Sequence, residues 1–223
     1  MDKMKNGAVL RNGTQRTAKE VFEKYAIVIA FLALLIVVSI LCSSFLTPSN
    51  LILVLNQTSI NGILAVGITY VLITAGIDIS IGSVVGLSGV ISAMVVKAGA
   101  PLPVGFLCGI LAGTLVGVII GILVTKGKLA PYIVTLGFLT IIRGAALLIA
   151  GGRPISSLGD AYGWIGNHNV FGVIPCPVII FLIVVVIGHI ILAHLQIGRY
   201  IYAVGGNSNA AEACGISPNK VKM

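Results

Sequence analysis

The chain has 223 residues, of which 57% are hydrophobic and 9% charged, with a mean hydropathy of +1.11. Soluble domains carry about 25% charged residues, so this composition excludes a water-facing globular surface. It also excludes disorder, which requires low hydrophobicity and high charge.

At about 20 apolar residues per bilayer crossing, the length predicts an all-α, polytopic helical membrane protein with about six transmembrane helices. The net charge of +8 is concentrated at the start, where Lys3, Lys5, Arg11, Arg16, Lys19 and Lys24 fall within the first 24 residues. That placement predicts a basic cytosolic tail over residues 1–24, beside anionic lipid headgroups, and no nucleic-acid partner. The apolar run behind it is too extended for a cleaved signal peptide and reads as a signal anchor. Leu41 before Cys42 excludes a lipobox.

Apolar stretches predict a transmembrane domain over residues 25–196, with spans at 25–45, 51–73, 79–96, 104–124, 132–150 and 173–193. They are far longer than the alternating stretches of about ten residues that a membrane β-barrel uses, so strands are not expected to cross. With the N-terminus inside, the inner segments carry eleven Lys and Arg: six in the tail, then Lys126, Lys128, Arg199, Lys220 and Lys222. The outer loops carry two, Lys97 and Arg153. This bias predicts that both ends of the chain lie in the cytosol.

The second span holds three amides, Asn56, Gln57 and Asn61. Gln57 and Asn61 are four apart and share a helix face. Amides are costly in hydrocarbon, so this face should meet the protein interior, another helix or a wet path. Asp78, at the inner turn, is expected to cap the third helix, with Ser80 as its competitor.

The fourth span carries Gly105, Gly109, Gly113, Gly117 and Gly121, one at every fourth position. Such a ridge predicts close helix packing, because lipid supplies no hydrophobic drive between helices. Arg143 lies about 12 residues up the fifth span, roughly 18 Å at 1.5 Å per residue, too far from the inner turn to pair with Asp78. It should snorkel outward or meet backbone carbonyls. The outer connection 151–172 contains Arg153, Asp160, Tyr162, Trp164 and His168.

The cytosolic segment 197–223 differs from everything before it. Gly205 to Ile216 reads as a loop, a short helix and a stop, with Asn209 as cap, Glu212 completing a capping box, Gly215 ending the helix and Pro218 barring continuation. So short a helix is unstable alone and needs a surface to rest on.

No catalytic, cofactor-binding or metal-binding motif is found. Gly127-Lys128 has Ile122 five residues before it and Leu129 after it, so no phosphate-binding loop is formed. His168, His189 and His194 lack metalloprotease spacing. Cys42, Cys108, Cys176 and Cys214 are too far apart for metal-ligand pairs, and Cys42 and Cys108 read as small membrane-core residues.

Three stretches resemble the permease subunits of bacterial ABC importers of the ribose, xylose and galactoside type. They are Leu72-Ile73-Thr74-Ala75-Gly76-Ile77-Asp78-Ile79-Ser80-Ile81-Gly82-Ser83, then Pro131-Tyr132-Ile133-Val134-Thr135-Leu136-Gly137 with Arg143-Gly144, and Ile197-Gly198-Arg199-Tyr200-Ile201-Tyr202-Ala203-Val204-Gly205-Gly206-Asn207 with Asn209-Ala210-Ala211 and Gly215-Ile216.

The resemblance covers about residues 45–222 and implies a monosaccharide importer subunit in the bacterial inner membrane. It also implies a second permease copy as homodimer partner, a cytosolic ABC ATPase that binds the ATP, and an extracytoplasmic sugar-binding protein. Residues 207–216 resemble the coupling segment, in which Asn207, Asn209, Ala210, Ala211, Glu212 and Gly215 would seat the ATPase. Asn209 stands where the Glu-Ala-Ala pattern has glutamate. Gln57, Asn61 and Arg143 are the expected substrate path, and residues 151–172 the landing site of the binding protein. An ion-coupled carrier or channel is the alternative, but it would be expected to hold mid-membrane carboxylates. Family permeases continue past the coupling segment, so the resemblance implies a truncated or split permease.

Overall fold

The computed structural model describes residues 23–170 and 172–223. The basic tail therefore lies outside the described residues, except for Glu23 and Lys24. Ten helices occur among the described residues: α1 (Glu23–Leu41), α2 (Pro48–Ile73), α3 (Ile81–Lys97), α4 (Leu102–Thr125), α5 (Pro131–Ile149), α6 (Asp160–Asn167), α7 (Cys176–His194), α8 (Gln196–Gly206), α9 (Ser208–Ala213) and α10 (Pro218–Lys222).

Five of them, α1, α2, α4, α5 and α7, are long and apolar enough to cross a membrane. The sixth expected span, α3, is a shorter apolar helix of 17 residues. At 1.5 Å per residue it reaches roughly 25 Å, just short of a hydrocarbon core of about 30 Å. The chain is an all-α polytopic membrane protein, as its composition predicts.

It divides into two compact units, Met1–Val54 and Leu55–Met223, with the division inside α2. In the first unit α1 stops four residues earlier than the apolar run suggests. Residues 42–47 form a turn in which the Phe45 amide donates to the Cys42 carbonyl (3.0 Å) and the Asn50 side chain to the Phe45 carbonyl (2.8 Å). Pro48 then opens α2, where its missing N–H costs nothing. Cys42 thus sits in a turn and is exposed rather than a core residue of a span.

In the second unit α3 packs against α4 and α5, and α8 against α7, α9 and α10. The glycine ridge explains the first contact. A β-carbon on Gly109 would come 2.8 Å from the Ser88 carbonyl oxygen and 3.2 Å from the Ser92 β-carbon. One on Gly113 would come 2.8 Å from the Ser88 hydroxyl, and one on Gly105 would meet the Val96 side chain.

The ridge then changes partners: Gly117 faces open space, and a β-carbon on Gly121 would come 3.5 Å from the Met223 α-carbon. Farther along, α2 and α7 are joined by the Tyr70 hydroxyl, which donates to the Gly188 carbonyl (2.9 Å). Gly62 lies under the Phe181 ring in the same contact.

The ends of α2 and α4, the start of α5, and α8 and α10 all border one cavity of about 470 Å³. The second halves of α3 and α5 border another, of about 640 Å³, with residues 152–162. The helices α2 to α5 therefore run in alternating directions. Lys126, Lys128, Arg199, Lys220 and Lys222 all follow or belong to elements at the first end, which the positive-inside rule makes cytosolic.

The outer connection is more ordered than its polar composition suggests. It contains α6 and a two-residue antiparallel ladder, β1 (Asn169–Val170) with β2 (Ile174–Pro175). This ladder does not cross the bilayer, so it leaves the all-α class intact. Gly159 enters α6 with φ +76°, and Gly172 turns the ladder with φ +74°, both in the left-handed region.

Candidate functional site

Two regions concentrate polar chemistry: a break between α2 and α3 at the inner end, and the corner formed by α8, α9 and α10.

The break covers residues 74–80. At the end of α2 the Ala75 amide donates to the Leu72 carbonyl (3.0 Å) and the Gly76 amide to the Val71 carbonyl (2.9 Å). This is a Schellman closure in which alanine rather than glycine occupies the left-handed position, φ 57°. Asp78 then folds onto Ser80. Its Oδ1 accepts from the Ser80 amide (2.8 Å) and hydroxyl (2.6 Å).

Ser80, not Asp78, holds the N-cap position of α3, and neither side chain caps a helical amide. The expectation that Asp78 caps α3 is corrected here: its carboxylate is already occupied by an Asx turn that keeps residues 78 and 79 out of the helix. Ser80 is fully buried, Thr74 and Thr135 nearly so. The Thr135 hydroxyl reaches across from α5 to the Ile77 carbonyl (3.3 Å), sharing its proton with the Tyr132 carbonyl at the same distance. The Ser83 hydroxyl donates to the Leu139 carbonyl (2.9 Å), a second tie from α3 to α5.

In the corner, Asn207 ends one helix and starts the next. Its amide donates to the Ala203 carbonyl (3.1 Å), and its Oδ1 accepts from the amides of Asn209 and Ala210, both at 3.0 Å. Asn209, expected as the cap, is the second residue of α9. The cap falls to Asn207 because its extended backbone, φ −156° and ψ 104°, is the geometry a cap requires.

Gly215 closes α9 with φ +82°. Its amide donates to the Glu212 carbonyl (2.9 Å), and the Ile216 amide reaches the Ala211 carbonyl (3.0 Å), a Schellman motif. Pro218 prevents α9 from continuing but begins α10 at its first turn. Ala211 is buried, whereas Asn209, Ala210, Glu212 and Gly215 are exposed. The corner thus presents a short, capped, small-residue surface. Asn207→Ala should cost about 1 kcal/mol of local stability, read as faster hydrogen exchange at the Asn209 and Ala210 amides.

The three residues expected to line a substrate path are not gathered in one place. Arg143 lines the outer 640 Å³ cavity together with Arg153 and Tyr162. Gln57 and Asn61 are exposed on α2 and line neither of the two cavities above. The amide with an inward role is Asn56, whose side chain donates to the Gly166 carbonyl of α6 (3.4 Å) while its Oδ1 is buried without a partner. Asp78 lines the inner cavity and Arg143 the outer one, so the two charges serve opposite ends.

Trp164 stacks on His168 at 4.4 Å between ring centroids, and Tyr162 on Phe106 at 5.7 Å. These stacks fix the aromatic part of the outer connection. Among the described residues no cluster of three His, Cys, Asp or Glu could hold a metal ion, and the four cysteines are free.

Comparison with known proteins gives this geometry a context. Residues 50–223 match the model of a permease family described as "Branched-chain amino acid transport system / permease component". The chain belongs to this permease family. Its relatives include the ribose import permease protein RbsC of Bacillus subtilis, 41% identical over 204 residues, which are 91% of this chain and 63% of the relative. RbsC of Haemophilus influenzae is 42% identical over 87% of this chain and 61% of its own length. The D-allose transport system permease protein AlsC of Escherichia coli is 35% identical over 87% and 60%. This permease-family chain thus spans between 60% and 63% of the length of these curated relatives. No solved structure matches it significantly.

Sequence reasoning missed Gly205, whose absent β-carbon would overlap the Ile73 carbonyl oxygen. The available signal was the Gly205-Gly206 pair just before a capping asparagine. It also missed Thr135 and Tyr70, because an isolated hydroxyl on an apolar helix has no local signature of its distant partner.

Proposed function

We propose that this chain is the membrane-spanning permease subunit of an ABC importer, translocating a monosaccharide of the pentose or hexose class. The observation that carries the reading is the identity to RbsC over nine-tenths of this chain. The relatives that match are named for ribose and D-allose, which favours a sugar over the amino acids in the family description. ATP is bound by partner ATPase subunits, and a sugar-binding protein delivers the substrate to the outer face in the bacterial inner membrane. The corner of α8, α9 and α10 is the ATPase seat, because α9 is capped at both ends and turns small, exposed residues away from the membrane helices.

A second copy of the chain completes the path. Gln57 and Asn61 are exposed on a helix otherwise covered with large apolar side chains such as Leu53 and Ile60. Amides in that setting need water or another protein surface, and a homodimer with a wet seam along α2 supplies both. Gln57→Leu or Asn61→Leu should then lower sugar uptake while leaving the order of sugar preference unchanged, since selection resides in the binding protein. Uptake equal to the parent's in both variants would place these amides in plain helix packing.

The test of the whole reading is uptake of labelled ribose by a strain without its own permease, expressing the permease that contains this sequence together with the ATPase and binding protein. Uptake that needs the ATPase and resists proton uncouplers is expected. Uptake that persists without the ATPase and collapses with an uncoupler would establish the ion-coupled carrier instead. Asp78, the carboxylate such a carrier would use, is tied to Ser80 at the inner end.

A further inference from the structure

The α8–α9 corner and the α2–α3 break are distant in sequence yet meet at one point. Gly205 lies so close to the carbonyl of Ile73, the last residue of α2, that a β-carbon there would overlap the oxygen; the Thr74 α-carbon is also within 3.5 Å of that position. Such an approach is open only to glycine. Gly205 stands two residues before Asn207, which is bonded to both α8 and α9, so a displacement of α9 is delivered to Gly205 without slack. Ile201 and Val204 of α8 are buried on the same side, at 7% and 2% exposure.

What Gly205 abuts is the non-helical stretch between α2 and α3. Beyond Ile73 the chain passes through the left-handed Ala75 and the Asp78–Ser80 clip before α3 begins. This break is fastened to α5 by the Thr135–Ile77 bond, and α3 is fastened to α5 by the Ser83–Leu139 bond. The second halves of α3 and α5 in turn wall the outer cavity that holds Arg143. A continuous set of close contacts therefore runs from the cytosolic corner to the opposite face.

We propose that Gly205 is a positioning residue of the transport cycle: it transmits movement of α9 to the 74–80 break, so that α3 and α5 move with it. Thr135 is the second positioning residue, holding the break to α5. This rests on the importer reading above, in which α9 is the part that the ATPase moves.

The experiment measures sugar uptake and binding-protein-stimulated ATP hydrolysis in the assembled transporter. Three variants are compared with the parent at equal membrane levels: Gly205→Ala, Thr135→Val, and Gly137→Ala on α5 as control, since a β-carbon at Gly137 meets nothing within 4 Å. Gly205→Ala and Thr135→Val are expected to lose uptake by about tenfold, within the usual range of coupling between sites, with hydrolysis retained. Gly137→Ala should keep both activities. Should Gly205→Ala fail to accumulate, Thr135→Val alone decides. Parental uptake in Thr135→Val or Gly205→Ala overturns the proposal, and so does a parallel fall of uptake and hydrolysis.

A measurement independent of transport separates this idea from the importer reading. Thr74, which lines the inner cavity and lies 7% exposed beside Gly205, is replaced by cysteine in a chain whose four native cysteines are removed. Labelling from the cytosolic side should be several-fold faster when Gly205→Ala is added, because α8 is pushed off the end of α2. An unchanged rate overturns the contact itself, whereas absent uptake by the parent transporter overturns the importer reading and leaves the labelling result to decide the contact.

Discussion

Replacing Gly109 with leucine is expected to separate α3 from α4 and to leave little folded protein in detergent extracts. The position has no room: even a β-carbon would stand 2.8 Å from the Ser88 carbonyl oxygen, and backbone cannot swing aside as a side-chain end can. Overpacking a tight core costs about 1–3 kcal/mol, and leucine adds three carbons beyond the one that already collides. Because α3 also carries the Ser83 tie to α5, the loss extends to the outer cavity. Gly117→Ala is the matched comparison, since nothing lies within 4 Å of that β-carbon position. Thermal unfolding followed by size-exclusion chromatography should show a large drop for Gly109→Leu and none for Gly117→Ala. Equal stabilities would mean that the close approach of the two helices contributes nothing.

The second large effect is expected at Gly215. Valine there must adopt φ near +82°, a region that costs an L-residue about 1–2 kcal/mol and a β-branched one more. For a six-residue helix this is enough to undo the closing turn and the Ile216–Ala211 bond. In the proposed importer, Gly215→Val should continue to support ATP hydrolysis while the sugar moved per ATP falls sharply. Gly215→Asn should recover much of the coupling, because asparagine tolerates the left-handed region. Parental coupling in the valine variant would show that α9 does not need its fixed end.

The two predictions differ in how visible they were in the sequence. Gly215 announces itself locally, three residues after Glu212 and three before Pro218, where a helix must stop. Gly109 announces itself by repetition, but only the fold shows that the five-glycine ridge serves three surfaces. Gly105, Gly109 and Gly113 take α3, Gly117 faces the inner cavity, and Gly121 takes Met223. The substrate-path residues were grouped by chemistry, as polar residues within spans, and chemistry alone says nothing of direction. Arg143 proved to face the outer cavity, while Gln57 and Asn61 lie on the exposed side of α2.

What the sequence determined by itself is everything that depends on neighbouring residues or on bulk composition. The membrane class follows from hydropathy, the span positions from runs of apolar residues, the orientation from the Lys and Arg bias, and the stop at Gly215 from the φ that glycine alone adopts freely. These are one-dimensional quantities, and the chain carries them without folding. Only the tertiary structure decided which cap is used, how long α3 is, and what Gly205 touches. The cap moved from Asn209 to Asn207 because α8 and α9 share one residue. Likewise α3 starts at Ile81 because the Asp78 carboxylate is spent on Ser80, with Thr135 of α5 holding the break from 58 residues away. Gly205 meets Ile73 because two helices far apart in sequence converge at the inner end. Such contacts depend on where distant backbones arrive, and no local pattern of residues encodes that.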